Sequence, residues 1–298
     1  MGFLYGTSYE IVYQDSKSKS YLSELQWNIK PLIYFGFNLD FSPKNPQEKW
    51  GFFSTLGIKA ALPMKTGVME DRDWISPCTV PGSLTHLSSH ENHTKTVFLL
   101  NLDSGISFPV WKLVFKFYFN LDYMYYKWEA RNGYIQYGDN YYEYSPLNPW
   151  PYNQPYTPWD SGFTKINIQG LGITYVQHWI LFTTGIGTEL YLDRFTLSAA
   201  FFAGLPICIG IDDHHMQNPP FRSIGLLTRG FVIKPKIGVC FSITDSFGIG
   251  LYASYLYIGE TRGDTKLKQS GRPEIWYNNT EGASFKAFEA NLSFKYQF

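Results

Sequence analysis

The chain has little charge: Asp, Glu, Lys and Arg make up only 17% of its 298 residues. Its 25 basic residues are matched by 25 acidic ones, so no net field steers it toward nucleic acid, and none is expected as a partner. It has no run of 18 apolar residues, which excludes a membrane-spanning helix. Cysteine is scarce too. Cys78, Cys208 and Cys240 have neither metal-ligand nor CxxC spacing and are read as free thiols. No leader is read ahead of the first patterned stretch, and Met1 is expected to begin a mature-length chain.

Aromatic residues are abundant, at 19% of the chain, more than a soluble core needs. They recur with period two, as in strands with one apolar face. From Leu4 to Tyr13, Tyr5, Tyr9, Ile11 and Tyr13 alternate with Gly6, Ser8 and Glu10. Trp50 to Leu62 sets Trp50, Phe52, Leu56, Ile58 and Ala60 to one side. Phe231, Ile233, Ile237, Val239, Phe241 and Ile243 do the same further on. The last stretch is the clearest: Phe288, Ala290, Leu292, Phe294, Tyr296 and Phe298 alternate with polar residues up to the terminal aromatic.

Ten strands are expected in all, with the others near 20–40, 94–103, 111–127, 163–192, 195–211 and 247–259. The even number lets an antiparallel sheet close without an edge. Expected connections are short at Ser104–Ser107, Asp193-Arg194 and Thr244–Ser246, and long and polar at 65–93, 128–161 and 260–282. The second long one carries Tyr141-Tyr142-Glu143-Tyr144 and a proline-rich run from Pro146. Strands of 10 to 20 residues suit a tall tilted barrel better than a sandwich, whose strands average about 5–6 residues. The mean hydropathy is slightly negative, as expected when polar lumen residues dilute lipid-facing ones. The fold class is therefore all-β: one ten-stranded antiparallel transmembrane barrel spanning 1–298 and rising above an outer membrane.

Two acidic clusters stand out. In Met69-Glu70-Asp71-Arg72-Asp73-Trp74, an extended backbone aims Asp71 and Asp73 into one space. In Asp212-Asp213-His214-His215 it pairs an acid with an imidazole, and a closed barrel can bring the two clusters face to face. His86, His90 and His93 are spaced i, i+4, i+7, a helix-face pattern in a stretch read as loop, so no metal site is expected.

With these motifs the chain resembles the omptins, ten-stranded outer-membrane endopeptidases of Gram-negative bacteria. The likeness runs along the whole chain: Gly2, Gly6, Glu10 and Val12-Tyr13; Leu25-x-Trp27; Thr55-Leu56-Gly57; Met69-x-Asp71-x-Asp73-Trp74; Ala130-Arg131-x-Gly133; Tyr175-x-Gln177; Asp193-x-Phe195; and the Asp212–His215 cluster. Counting from Phe195 puts the second motif at Asp213 and His215, whereas counting back from Gly263-Asp264-Thr265 puts it at Asp212 and His214. Ile207, Ile209 and Ile211 are apolar and hence outward, which sends Asp212 and His214 to the lumen and favours that register.

The resemblance implies catalytic roles for Asp71, Asp73, Asp212 and His214, with water as the attacking group and no cofactor. No serine or cysteine stands beside the histidine at motif spacing. It also implies that Glu10 lies in the pocket for a basic residue before the cut. A second acid is usual two residues before the dyad aspartate, and here that position is Gly210, so a looser basic preference is expected. Peptides or proteins are the expected substrates and outer-membrane lipids the surroundings, with the cleft facing outside. In place of the arginines that grip lipopolysaccharide in the family stand Tyr125 and His178, so activation by lipopolysaccharide is not expected. The competing expectation is a catalytically silent barrel acting as an adhesin or small pore. A lipid-modifying barrel would need a serine near a histidine and asparagine on the outer wall, an arrangement not read here.

Overall fold

A computed structural model describes residues 1–43, 46–137, 155–217 and 219–296. They contain no helix, only twelve strand segments: β1 (Gly2–Tyr13), β2 (Tyr21–Phe41), β3 (Gly51–Ala61), β4 (Met64–Asp73), β5 (His86–Val110), β6 (Leu113–Tyr137), β7 (Ile166–Leu192), β8 (Phe195–His214), β9 (Phe221–Arg229), β10 (Val232–Ser242), β11 (Phe247–Gln269) and β12 (Ile275–Tyr296). β1 pairs antiparallel with both β2 and β12, which closes the sheet. β3 and β4 both lie between β2 and β5, and β9 and β10 both lie between β8 and β11. Twelve segments thus make ten staves. The first split falls at Leu62-Pro63, where proline has no N–H for the ladder, and the second at Gly230-Phe231.

All three stretches expected as polar excursions contain strand among the described residues. β4 takes Met64–Asp73, β5 starts at His86, β6 runs to Tyr137, β11 reaches Gln269 and β12 starts at Ile275. Beyond lipid, a stave no longer has to alternate apolar-out with polar-in, so the periodic signal fades although the backbone ladder continues. The expected Ser104–Ser107 turn is also ladder, paired to β3 and β6. The actual turn is at Trp111-Lys112, where Trp111 has φ 56°. Asp193-Arg194 does turn the chain, with Asp193 at φ 49°. Tyr141–Tyr144, the run from Pro146 to 154, and the terminal Phe298 lie outside the described residues.

Large apolar side chains face outward on the half of the barrel with the short turns: Phe37 and Leu39 on β2, Phe52 on β3, Phe119 on β6, Ile186 on β7, Leu205 on β8 and Phe294 on β12. An apolar surface that encircles the molecule is a lipid belt. Tyr123, Tyr125, Tyr255 and Tyr257 edge it toward the longer loops, as an aromatic girdle does. Crossing hydrocarbon takes about 9–11 tilted residues. β7 has 27, so the wall continues well past the belt.

Inside the belt the lumen is polar but paired. Lys59 meets Glu289, Lys234 meets Asp122, Lys116 meets Glu189 at 2.5 Å and Lys236 meets Asp103 at 3.4 Å. Above this layer stacked rings fill the lumen: Trp27 on Tyr175 at 5.6 Å, Trp27 on Trp128 at 6.1 Å and Trp128 on Tyr126 at 5.1 Å. These rings are buried and form the floor of a cleft walled by the upper staves.

Candidate active site

Asp71 and Asp73 lie at the upper end of β4, where Asp71 pairs with Leu25 of β2 and Ser88 of β5. Both point inward, while Arg72 between them turns away to Glu70 and to Glu24, the latter at 3.4 Å. The Ser23 hydroxyl donates to Asp71 Oδ1 at 3.1 Å. Asp212 and His214 end β8, four staves away in a ring of ten, so their side chains enter the lumen from the far wall. His214 Nε2 lies 2.5 Å from Asp212 Oδ2, and its ring stacks on Phe221 at 4.3 Å. Asp213 points out and accepts a bidentate pair of hydrogen bonds from Nε and Nη2 along one edge of the Arg222 guanidinium, at 2.6 and 2.9 Å. His215 Nε2 lies 2.8 Å from the Thr174 hydroxyl. Of the two registers, Asp212 with His214 is the pair brought together.

Glu10 of β1 enters the lumen beside this dyad. It is only 2% exposed, as are Asp212 and Glu281 of β12. Val12 and Glu281 are direct partners, as are Glu10 and Ala283, so the two glutamates project from one face at diagonal positions. Below them Gln177 binds the floor together: Ser8 and Trp179 donate to its Oε1, and its Nε2 donates to Tyr175.

The omptin family model matches residues 1–298, the whole chain. The chain belongs to the omptin family. Among solved structures, this omptin is similar to the outer membrane protease OmpT from Escherichia coli, with a TM-score of 0.80 over 100% of this chain and 94% of that one, at 16% identity. The toluene transporter TodX from Pseudomonas putida aligns over 100% and 90% of the chains, but at 10% identity and a TM-score of 0.31, too low to carry an argument. A comparison with curated proteins finds no match.

The cleft of this omptin stands above the lipid belt, and four of its carboxyls, Glu10, Asp71, Asp73 and Glu281, are disfavoured as anions. Burial pushes Asp71 up to about 6, against the pull of His214. Asp73 rises well above the usual carboxylate range, from burial and then from Asp71 beside it. Burial also raises Glu10, helped by Asp212 and Glu281, and brings Glu281 to about 8. For His214 burial opposes the charged form, but Asp212, Asp71 and Asp73 outweigh it and the imidazole is raised. Facing carboxyls that cannot all ionise hold protons between them.

His86, His90 and His93 belong to β5 rather than to a loop, and their ring nitrogens meet Thr85, Asn132, Ser88 and Glu91. Among the described residues no group of three or more acids, histidines or cysteines is arranged to hold a metal. The three cysteines are free, with Cys208 buried and Cys78 and Cys240 half-buried. Sequence reasoning missed two neighbours of the dyad, Phe221 and Glu281. Glu281 fell in a stretch read as loop, yet the parity of the last strand, carried back from Glu289, places it inward.

Proposed function

We propose that this chain is an outer-membrane endopeptidase that hydrolyses peptide bonds with an activated water, its cleft open to the outside. The supporting observation is the His214–Asp212 pair at 2.5 Å, set across the lumen from Asp71 and Asp73. Family membership and fold agree with this reading. So does the orientation: the longest connections, between β4 and β5 and between β6 and β7, lie at the cleft end, as outer loops do, and the two-residue turns at 111–112 and 193–194 lie at the other.

Asp212 orients His214 and stabilises its imidazolium, so the free ring nitrogen can take a proton from water as that water attacks the carbonyl carbon. The proton shared by Asp71 and Asp73 gives the developing oxyanion a hydrogen-bond donor on the opposite side. His214 then returns its proton to the leaving amine. Glu10, below the dyad, favours a basic residue before the cut.

The test is hydrolysis of a fluorogenic dibasic peptide by the refolded protein. Cleavage that disappears in His214→Ala supports the proposal. A wild-type protein inert toward the whole peptide series leaves the silent barrel, an adhesin, as the better reading. A pore is disfavoured by the buried aromatic layer across the lumen.

A further inference from the structure

Three buried carboxylate oxygens in the cleft have no hydrogen-bond partner: Glu10 Oε2, Glu281 Oε1 and Asp212 Oδ1. Among the described residues no lysine or arginine forms an ion pair with Glu10 or Glu281. The other oxygen of Asp212 holds His214 and Glu281 also meets Thr265, but a buried carboxylate oxygen left without a partner is costly, and a fold tolerates it where something arrives to satisfy it.

The space around Glu281 is kept clear. Gly210 of β8 and Gly225 of β9 are direct partners on the wall that Glu281 faces. A Cβ on Gly225 would stand 2.3 Å from Glu281 Oε1, and one on Gly210 would stand 3.1 Å from the same atom. Any side chain at 225 would collide with the carboxylate, and one at 210 would crowd it. The Gly210 Cβ direction also shows where a short acid on β8 would put its charge, and the Glu281 carboxylate already occupies that place from β12.

We propose that Glu281 is the second acid of the pocket under the dyad, and that with Glu10 it forms a two-carboxylate socket for the guanidinium or ammonium end of a basic peptide side chain. This rests on the proteolytic reading above. It replaces the looser selectivity expected from the uncharged Gly210, because the missing charge is supplied from another stave.

Two peptides that differ only in arginine or citrulline before the cut test the socket, since citrulline keeps the shape and loses the charge. Wild type is expected to cleave the arginine peptide with the higher kcat/KM, and Glu281→Gln to lower the arginine-to-citrulline ratio at least ~10-fold. Gly210→Asp combined with Glu281→Ala should recover most of that ratio, since it returns a carboxylate to the same space. Heat-modifiable migration on a gel confirms that each variant folds. An unchanged ratio in Glu281→Gln overturns the inference while leaving the protease reading intact. If wild type cleaves neither peptide, the protease reading fails, and the socket is judged by binding alone: benzamidine should raise the melting temperature of wild type and not of Glu281→Gln, and equal or absent shifts overturn it.

Discussion

The lower and upper halves of one lumen treat buried charge in opposite ways. In the belt each lysine that enters the barrel meets an acid: Lys234 with Asp122, Lys236 with Asp103, Lys116 with Glu189 and Lys59 with Glu289. Asn120 and Asn101 donate further hydrogen bonds to these acids. In the cleft Glu10, Asp71, Asp73, Asp212 and Glu281 gather around one histidine. The paired layer has its charges satisfied by the protein itself, which is what a structural plug requires. The unpaired layer has oxygens left over, which is what a site for an incoming cation and an attacking water requires.

The largest expected effect breaks the upper layer. Asp71→Ala, Asp73→Ala and His214→Ala should each lower peptide hydrolysis at least ~10²-fold with the barrel still folding, because a base and its opposing acids act as a unit. Asp213→Ala and His215→Ala, on the outer side, should keep most of the activity. A dead His215→Ala beside an active His214→Ala would reverse the register.

Breaking the lower layer should do the converse. Lys234→Met leaves Asp122 buried without its cation, and unfolding by denaturant should show a loss of about 3–5 kcal/mol. Turnover by the folded fraction should stay near wild type. Lys234→Met with Asp122→Leu should regain most of the stability.

The pH profile sharpens the same comparison. His214 must be neutral to take a proton, and its pKa is raised above 6.5, so kcat/KM should climb with pH through a value above 6.5. Asp212→Asn removes the nearest anion, lowers the His214 pKa and should move the rising limb to lower pH on a reduced rate. A limb that stays in place would mean that another group titrates.

The smallest expected effects lie outside the lumen. Tyr125 and His178 are direct partners on β6 and β7 with rings 5.0 Å apart, and Tyr123 lies 2.8 Å from His178 Nδ1. Neither position carries a permanent cation for a phosphate. Activity in detergent should therefore change less than ~2-fold on adding lipopolysaccharide, against the much larger gain an arginine pair would give. A large saturable rise would point to Lys112 or Lys127 instead. Excess chelator should leave the rate unchanged, whereas loss restored by zinc would move the site to His86, His90 and His93.

Period-two alternation in the belt, from Phe52 to Leu56 or from Phe288 to Tyr296, together with long strands and an even strand count, determined a closed barrel from the sequence, because a wall facing lipid must be apolar outside and leave no edge. Parity along β8 likewise turned Asp212 and His214 inward from the outward Ile209. Above the belt that rule lapses, so β4 and the upper reaches of β5, β6, β11 and β12 read as loop although their ladders continue. What only the tertiary structure decided was which staves face each other and which charges meet there. Glu281 is 71 residues from Gly210 in the chain, and it takes the space beside that glycine because closure of the ring brings β12 and β8 around one lumen. A charge that local sequence records as missing at 210 is supplied by a distant strand, and a one-dimensional pattern carries no term for that distance.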